Sequence, residues 1–262
     1  MKIVRLNHIM SFGLILFLIF SYFFFGCAGK KEKLEAKFTD KEIFQMGLEE
    51  FDKENYQKAR MYFNRIESYF PQSSYIQQAR LLRADSYFNE GRIASYIEAQ
   101  AEYQTFLNLY PTADNLDYVQ FQIAMCHHKQ VRSPDRDISS TLKAFKEFKT
   151  FLEKYPNSKH IVEAEKKFQE VSDSLAEHEF QVGFFYFRRK RYLSAIDRFN
   201  FSLREYPSSF LDGKVHFYLG KSHLLLGNKK QAKAFLSQLA ERFPKSEFAL
   251  EAKEILSNMG DE

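Results

Sequence analysis

Three short clusters hold residue types that could do chemistry. Asp135, Arg136 and Asp137 stand in a row within "RSPDRDISS", residues 132 to 140, the raw material of a general acid–base pair. Cys126, His127 and His128 are adjacent and offer a nucleophile, a proton carrier and metal-ligating atoms. Cys27 closes an apolar run and is followed by Ala28 and Gly29, where a thiol can be acylated once the run in front of it is removed.

The first two clusters lack the company that catalysis requires. No Gly-rich oxyanion or phosphate loop lies near the aspartates, and no histidine is spaced to relay a proton. Adjacent residues on a helix point about 100° apart, so Cys126, His127 and His128 do not converge on one ion. A second ligand pair at zinc-like spacing is also missing. The sequence therefore assigns no catalytic residue, no metal and no cofactor. A reading of Cys126, His127 or His128 as an enzyme's site would require an activity lost in Cys126→Ser.

The third cluster does fit a motif. Lys2 and Arg5 precede a nearly unbroken apolar run from Ile9 to Phe25, the pattern of an export signal. Gly26-Cys27 at its end resembles a bacterial lipobox, with Phe24 and Phe25 where Leu and a small residue are usual. The expectation is a signal peptide over 1–26, a lipidated Cys27 and a charged tether over 27–39. The other reading is an uncleaved anchor, since about 17 apolar residues can just span a bilayer. With Ala28 after the cysteine, delivery to the periplasmic face of the outer membrane is expected. Beyond this leader the charges nearly balance, with 36 basic against 34 acidic residues. Nucleic-acid binding needs a strong basic footprint, so it is excluded.

What positions these clusters is a repeat. Phe70-Pro71, Tyr110-Pro111, Tyr155-Pro156, Tyr206-Pro207 and Phe243-Pro244 recur along the chain. Twelve residues before each proline stands Ala59, Ala99, Ala144, Ala195 or Ala232, and eight before stands Phe63, Tyr103, Phe148, Phe199 or Leu236. Gly47, Gly183 and Gly220 lie 24 before three of the prolines. Alanine and an aromatic four residues on share one helix face. Proline then ends the helix and turns the chain. The spacing is that of tetratricopeptide helix–turn–helix units.

The sequence thus predicts an all-α solenoid of five such repeats, with repeats one to three over 40–156 and repeats four and five with a terminal capping helix over 157–262. Successive prolines are 40, 45, 51 and 37 residues apart. The 51-residue step predicts one long helix from His160 to Lys190 entering repeat four. The 45-residue step holds "RSPDRDISS" as an enlarged loop between helices at about 116–130 and 140–155, where Asp137, Ser139 and Ser140 are candidate caps.

"DRDISSTLKAFKEFKTFLEKYPNS" resembles the third repeat of the BamD-type outer-membrane β-barrel assembly lipoproteins, through Asp135, Arg136, Asp137, Ala144, Phe148, Tyr155, Pro156, Asn157 and Ser158. "YPTADNLDYVQF" is similar to the family at Tyr110, Pro111, Thr112, Asn115, Asp117, Tyr118 and Val119, and departs at Ala113 and Asp114. Repeat four follows through Ala195 and Arg198, with Lys190 where the family has a turn glycine. The resemblance implies a non-enzymatic scaffold that docks on the periplasmic domains of BamA beside other assembly lipoproteins and helps receive unfolded outer-membrane proteins. It also implies that Arg198 meets acidic BamA residues, against a plain reading as a solvated helix charge. A repeat adaptor for envelope division or peptidoglycan enzymes would share the solenoid but not the loop signature. The basic run Arg188, Arg189, Lys190, Arg191 is either a solvated turn or a site for an acidic lipid or partner. Phe184, Phe185, Tyr186 and Phe187 beside it cannot all face inward.

Overall fold

A computed structural model describes residues 38–207 and 209–259; the predicted signal, Cys27 and nearly all of the tether lie outside the described residues. The described chain forms eleven α-helices and no strand. They are α1 Asp40–Asp52, α2 Tyr56–Tyr69, α3 Ile76–Glu90, α4 Ile93–Leu109, α5 Leu116–His128, α6 Ser139–Lys154, α7 Ile161–Arg188, α8 Tyr192–Glu205, α9 Asp212–Leu225, α10 Lys229–Arg242 and α11 Ala249–Met259. Consecutive helices pack pairwise into five hairpins and a terminal helix. The core is correspondingly a chain of local clusters, as expected of a solenoid.

The repeat residues carry that core. All five alanines are fully buried, and so are the residues four later, from Phe63 to Leu236. The glycines answer those side chains across each hairpin. A Cβ on Gly47 would sit 2.5 Å from a ring carbon of Phe63, and one on Gly183 2.5 Å from a ring carbon of Phe199. Gly220 has the same relation to Leu236 at 2.6 Å. Carbon atoms prefer about 3.5–4.0 Å, so only a missing side chain lets these helices pack. Ala84 and Ala124, both fully buried, occupy the corresponding place in repeats two and three.

The second helix of every repeat stops the same way. Phe70, Tyr110, Tyr155, Tyr206 and Phe243 take φ between −129° and −125° and ψ between 52° and 61°. Proline's ring excludes the residue before it from the α region. Two residues past the proline, Ser73, Ser158, Ser209 and Ser246 each accept, on the side-chain oxygen, a backbone N–H from the start of the next helix. Repeat two has Ala113 there.

Length differences fall where they do not disturb this frame. Repeat two adds its extra residues to α4, which has 17 residues against 14 in α2, α8 and α10. Repeat three places its extra residues in the loop between α5 and α6. The step into repeat four is 14 residues longer than the last step, close to four turns at about 3.6 residues each. Helix α7 therefore lengthens without rotating its buried stripe. It runs 28 residues, slightly shorter at each end than the sequence predicts.

Lys190 adopts φ 60°, the left-handed conformation of a turn glycine. Glu54 at φ 59° and Gly227 at φ 79° hold the same place in repeats one and five. The glycine position of the family is therefore kept in shape, at a cost of about 1 kcal/mol for a residue with a Cβ. Helix α11 ends the stack with Ala249 and Ala252 buried. Its outer face carries Glu251, Lys253 and Glu254, but also Leu250, which is 81% exposed.

Candidate interaction surface

Arg198 projects from α8 toward α7, and its Nη1 donates to Glu179 Oε2 at 3.1 Å. The carboxylate is almost buried, while the arginine side chain is 47% exposed. The guanidinium makes no other hydrogen bond to a described residue. Glu179 therefore holds one edge of the fork and leaves the other facing solvent. Such a fork can take a second carboxylate with two parallel hydrogen bonds, which an ammonium cannot do.

The loop that carries the family signature is built onto the long helix. His178 Nδ1 lies 2.7 Å from the carbonyl oxygen of Pro134. A carbonyl only accepts, so Nδ1 carries the proton. Ile138 packs with Leu175, Ala176 and Tyr206. The loop's extra residues thus rest on the stretch that lengthens α7, one turn away from Glu179. These contacts tie the loop of repeat three to the first helix of repeat four.

Asp135 and Asp137 are fully exposed. Asp137 Oδ1 accepts from the backbone N–H and the hydroxyl of Ser139, at 2.9 and 2.6 Å. These bonds hold the Asp137 carboxyl below its ordinary range, and the Ser133 hydroxyl does the same for Asp135. Asp137 thus takes the first N–H of α6 from one residue outside the N-cap position, which Ile138 occupies without a side-chain bond, and Ser139 and Ser140 lie inside the helix and cap nothing.

The cysteine–histidine cluster does not converge. Cys126 is fully buried in the core between repeats two and three. Burial, helped by the charge of Asp85, pushes its thiol up to about 12, so it is not a thiolate at neutral pH. His128 Nε2 faces Glu170 Oε2 at 3.1 Å. Among the described residues no group of three or more His, Cys, Asp and Glu is placed to hold a metal ion. No described helix is long and apolar enough to cross a membrane.

One polar node escaped the sequence reading. The hydroxyls of Tyr103 and Tyr118 both donate to Asp85 Oδ1, at 2.6 and 2.8 Å, and Gln122 donates to Tyr118. Burial raises the Asp85 carboxyl, and the two hydroxyls hold it back. This ties repeat two to repeat three through groups 33 residues apart. Tyr118 was visible only as part of a family pattern, and nothing local in the sequence marks Asp85.

The model of the family described as "YfiO: Outer membrane lipoprotein" matches residues 36–235, which contain all of these features. The chain belongs to this family. It is 27% identical over 255 residues to the "Outer membrane protein assembly factor BamD" of Rickettsia prowazekii (strain Madrid E), covering 97% of this chain and 99% of that protein. It is 25% identical over 238 residues to the protein of that name in Caulobacter vibrioides, covering 90% and 77%. With that of Neisseria meningitidis serogroup A it shares 23% over 237 residues, covering 87% and 88%. The match runs through the enlarged loop and the long helix, so both irregular repeats lie inside the family's own territory.

Proposed function

We propose that this chain is an outer-membrane protein assembly factor: a non-catalytic scaffold that docks on the periplasmic domains of BamA and helps receive unfolded outer-membrane proteins before insertion. The observation that carries this is the end-to-end correspondence with relatives bearing that name, 97% of this chain against 99% of the Rickettsia protein. The geometry is consistent with it. Each hairpin buries its face against its neighbours, which leaves a long surface for binding.

In this reading Cys27 carries the lipid that holds the body at the outer membrane. Acyl chains contribute about 0.8 kcal/mol per buried CH₂, and more than one makes attachment stable. Arg198 meets an acidic BamA residue with the edge of its guanidinium that Glu179 leaves free. The test is co-purification of BamA with tagged full-length chain from detergent-solubilised membranes. Wild type should retain BamA and Arg198→Lys should lose most of it, because the charge stays while the planar fork goes. Equal retention by both would remove Arg198 from the interface.

A further inference from the structure

Helix α7 carries a second surface, turned away from Arg198. Phe180, Gln181, Phe184, Phe185, Arg188 and Arg189 line a cleft of about 470 Å³, within the range of small binding sites. At about 100° per residue, most of these positions fall on the side of α7 opposite Glu179. The floor is aromatic. Phe180 and Phe184 stack on each other, and both meet the ring of Tyr218 on α9 edge-on at 5.6 and 5.0 Å. Contacts beyond consecutive neighbours join α5 to α7 and α7 to α9, the first helices of successive repeats. The cleft itself is lined by α7 and the turn that follows it.

The rim is cationic and unneutralised. The Arg189 guanidinium lies 4.1 Å over the ring of Phe185, which is 48% exposed. Lys214 Nζ stands 4.6 Å over Phe180. No carboxylate lines the cleft. None of Arg188, Arg189, Lys190 and Arg191 forms an ion pair with a described residue. Elsewhere the chain neutralises arginines on its packed faces: Arg60 with Glu90, and Arg80 and Arg83 with Glu67. Arg188, Arg189, Lys190 and Arg191 are exposed, and they put four cations without a carboxylate partner at or beside the aromatic cleft.

We infer that the cleft along α7 binds an acidic polypeptide segment, in which one aromatic side chain enters between Phe184 and Phe185 and flanking carboxylates meet Arg188 and Arg189. Aromatic anchors in pockets with charged surroundings carry most of the binding energy in such contacts, and guanidinium groups hold carboxylates in pairs of hydrogen bonds. A lipid headgroup would satisfy the cations alone, whereas the aromatic lining also favours a partner that carries a ring. The site stands apart from Arg198, so either can fail without the other.

The probe is a fluorescein-labelled octapeptide of alternating aspartate and phenylalanine, titrated by fluorescence polarisation against the full-length chain in neutral detergent micelles. Saturable binding is expected. It should weaken about tenfold or more in R188Q/R189Q and about fivefold in Phe185→Ala, with circular dichroism unchanged at these exposed positions. On the wild-type chain, octapeptides of lysine with phenylalanine, or of aspartate with serine, should bind at least tenfold more weakly. Equal binding of the lysine peptide would overturn the inference, as would unaltered affinity in R188Q/R189Q. So would capture of phosphatidylglycerol vesicles through Arg188 and Arg189 while the acidic peptide fails to bind.

Discussion

Replacing Arg198 by Glu sets a second carboxylate beside Glu179, and the structure fixes what this should cost. Glu179 is nearly buried and holds Arg198 at 3.1 Å. Arg198 is half exposed, so the pair falls between a surface bridge at about 0–1 kcal/mol and a buried one whose breaking costs about 3–5 kcal/mol. Removing the charge with Arg198→Gln should then cost about 1–2 kcal/mol. Arg198→Glu adds repulsion at about 5 Å, which is about 1–3 kcal/mol between the dielectric of water and an effective value near 20. Arg198→Lys should stay within about 1 kcal/mol of wild type. Urea unfolding followed by circular dichroism should therefore rank wild type and Lys above Gln, and Gln above Glu. The gap between Gln and Glu should close as pH falls into the carboxylate range, because protonation relieves the repulsion there. Coincident midpoints for Gln and Glu at pH 7 would show that Glu179 and Arg198 do not meet. The order also decides how partner binding is tested. Lys isolates the planar fork, whereas Glu confounds docking with loss of stability.

Gly183→Ala should destabilise by about 1–3 kcal/mol through overpacking against Phe199, although alanine is the better helix former by about 1 kcal/mol; a rise in the thermal midpoint would contradict the close approach. Tyr103→Phe should cost about 1–3 kcal/mol by depriving the partly buried Asp85 of one of its two hydroxyl donors, read as a lower urea midpoint. Burial lowers the pKa of both His127 and His128, against the opposing pull of Glu147 and Glu170. Their neutral forms therefore stabilise the fold fully above the ordinary histidine value near 6.5, and that stability is lost as pH falls through the lowered values. The double variant His127→Gln, His128→Gln should flatten the fall in unfolding midpoint between pH 7 and 5, and an unchanged slope would contradict this.

The repeat frame was legible because its determinants are local. A proline, an aromatic before it and an alanine twelve back all act within one hairpin, and Phe63, Tyr103 and Phe148 fill their places without help from distant sequence. Even the glycine at 24 back could be read as a close approach, although its partner turned out to be the residue eight before the same proline. The serine two past four of the five prolines is nearly as periodic, but a hydroxyl so close to a proline does not mark a helix start by itself. What stayed hidden depends on distance in the chain. His178 finds Pro134 across 44 residues, and Asp85 finds Tyr118 across 33. The placement of Asp135 and Asp137 at the loop surface, and not in a cleft, was legible from Pro134 and the missing nucleophile. That the loop rests on the lengthened part of α7 was not, because two irregular repeats must be superposed before they can be seen to meet. Arg198 was found through family resemblance; the structure adds Glu179, which no spacing rule links to it.

Whether this chain assists assembly of outer-membrane proteins is tested by reconstitution. Proteoliposomes holding BamA with or without the full-length chain would receive a urea-denatured β-barrel precursor, and insertion would be scored by protease-resistant folded product. Folded product should rise several-fold when the chain is present, and the gain should be lost when Cys27→Ala chain is supplied without a membrane anchor. Equal yields with and without the chain would contradict that role.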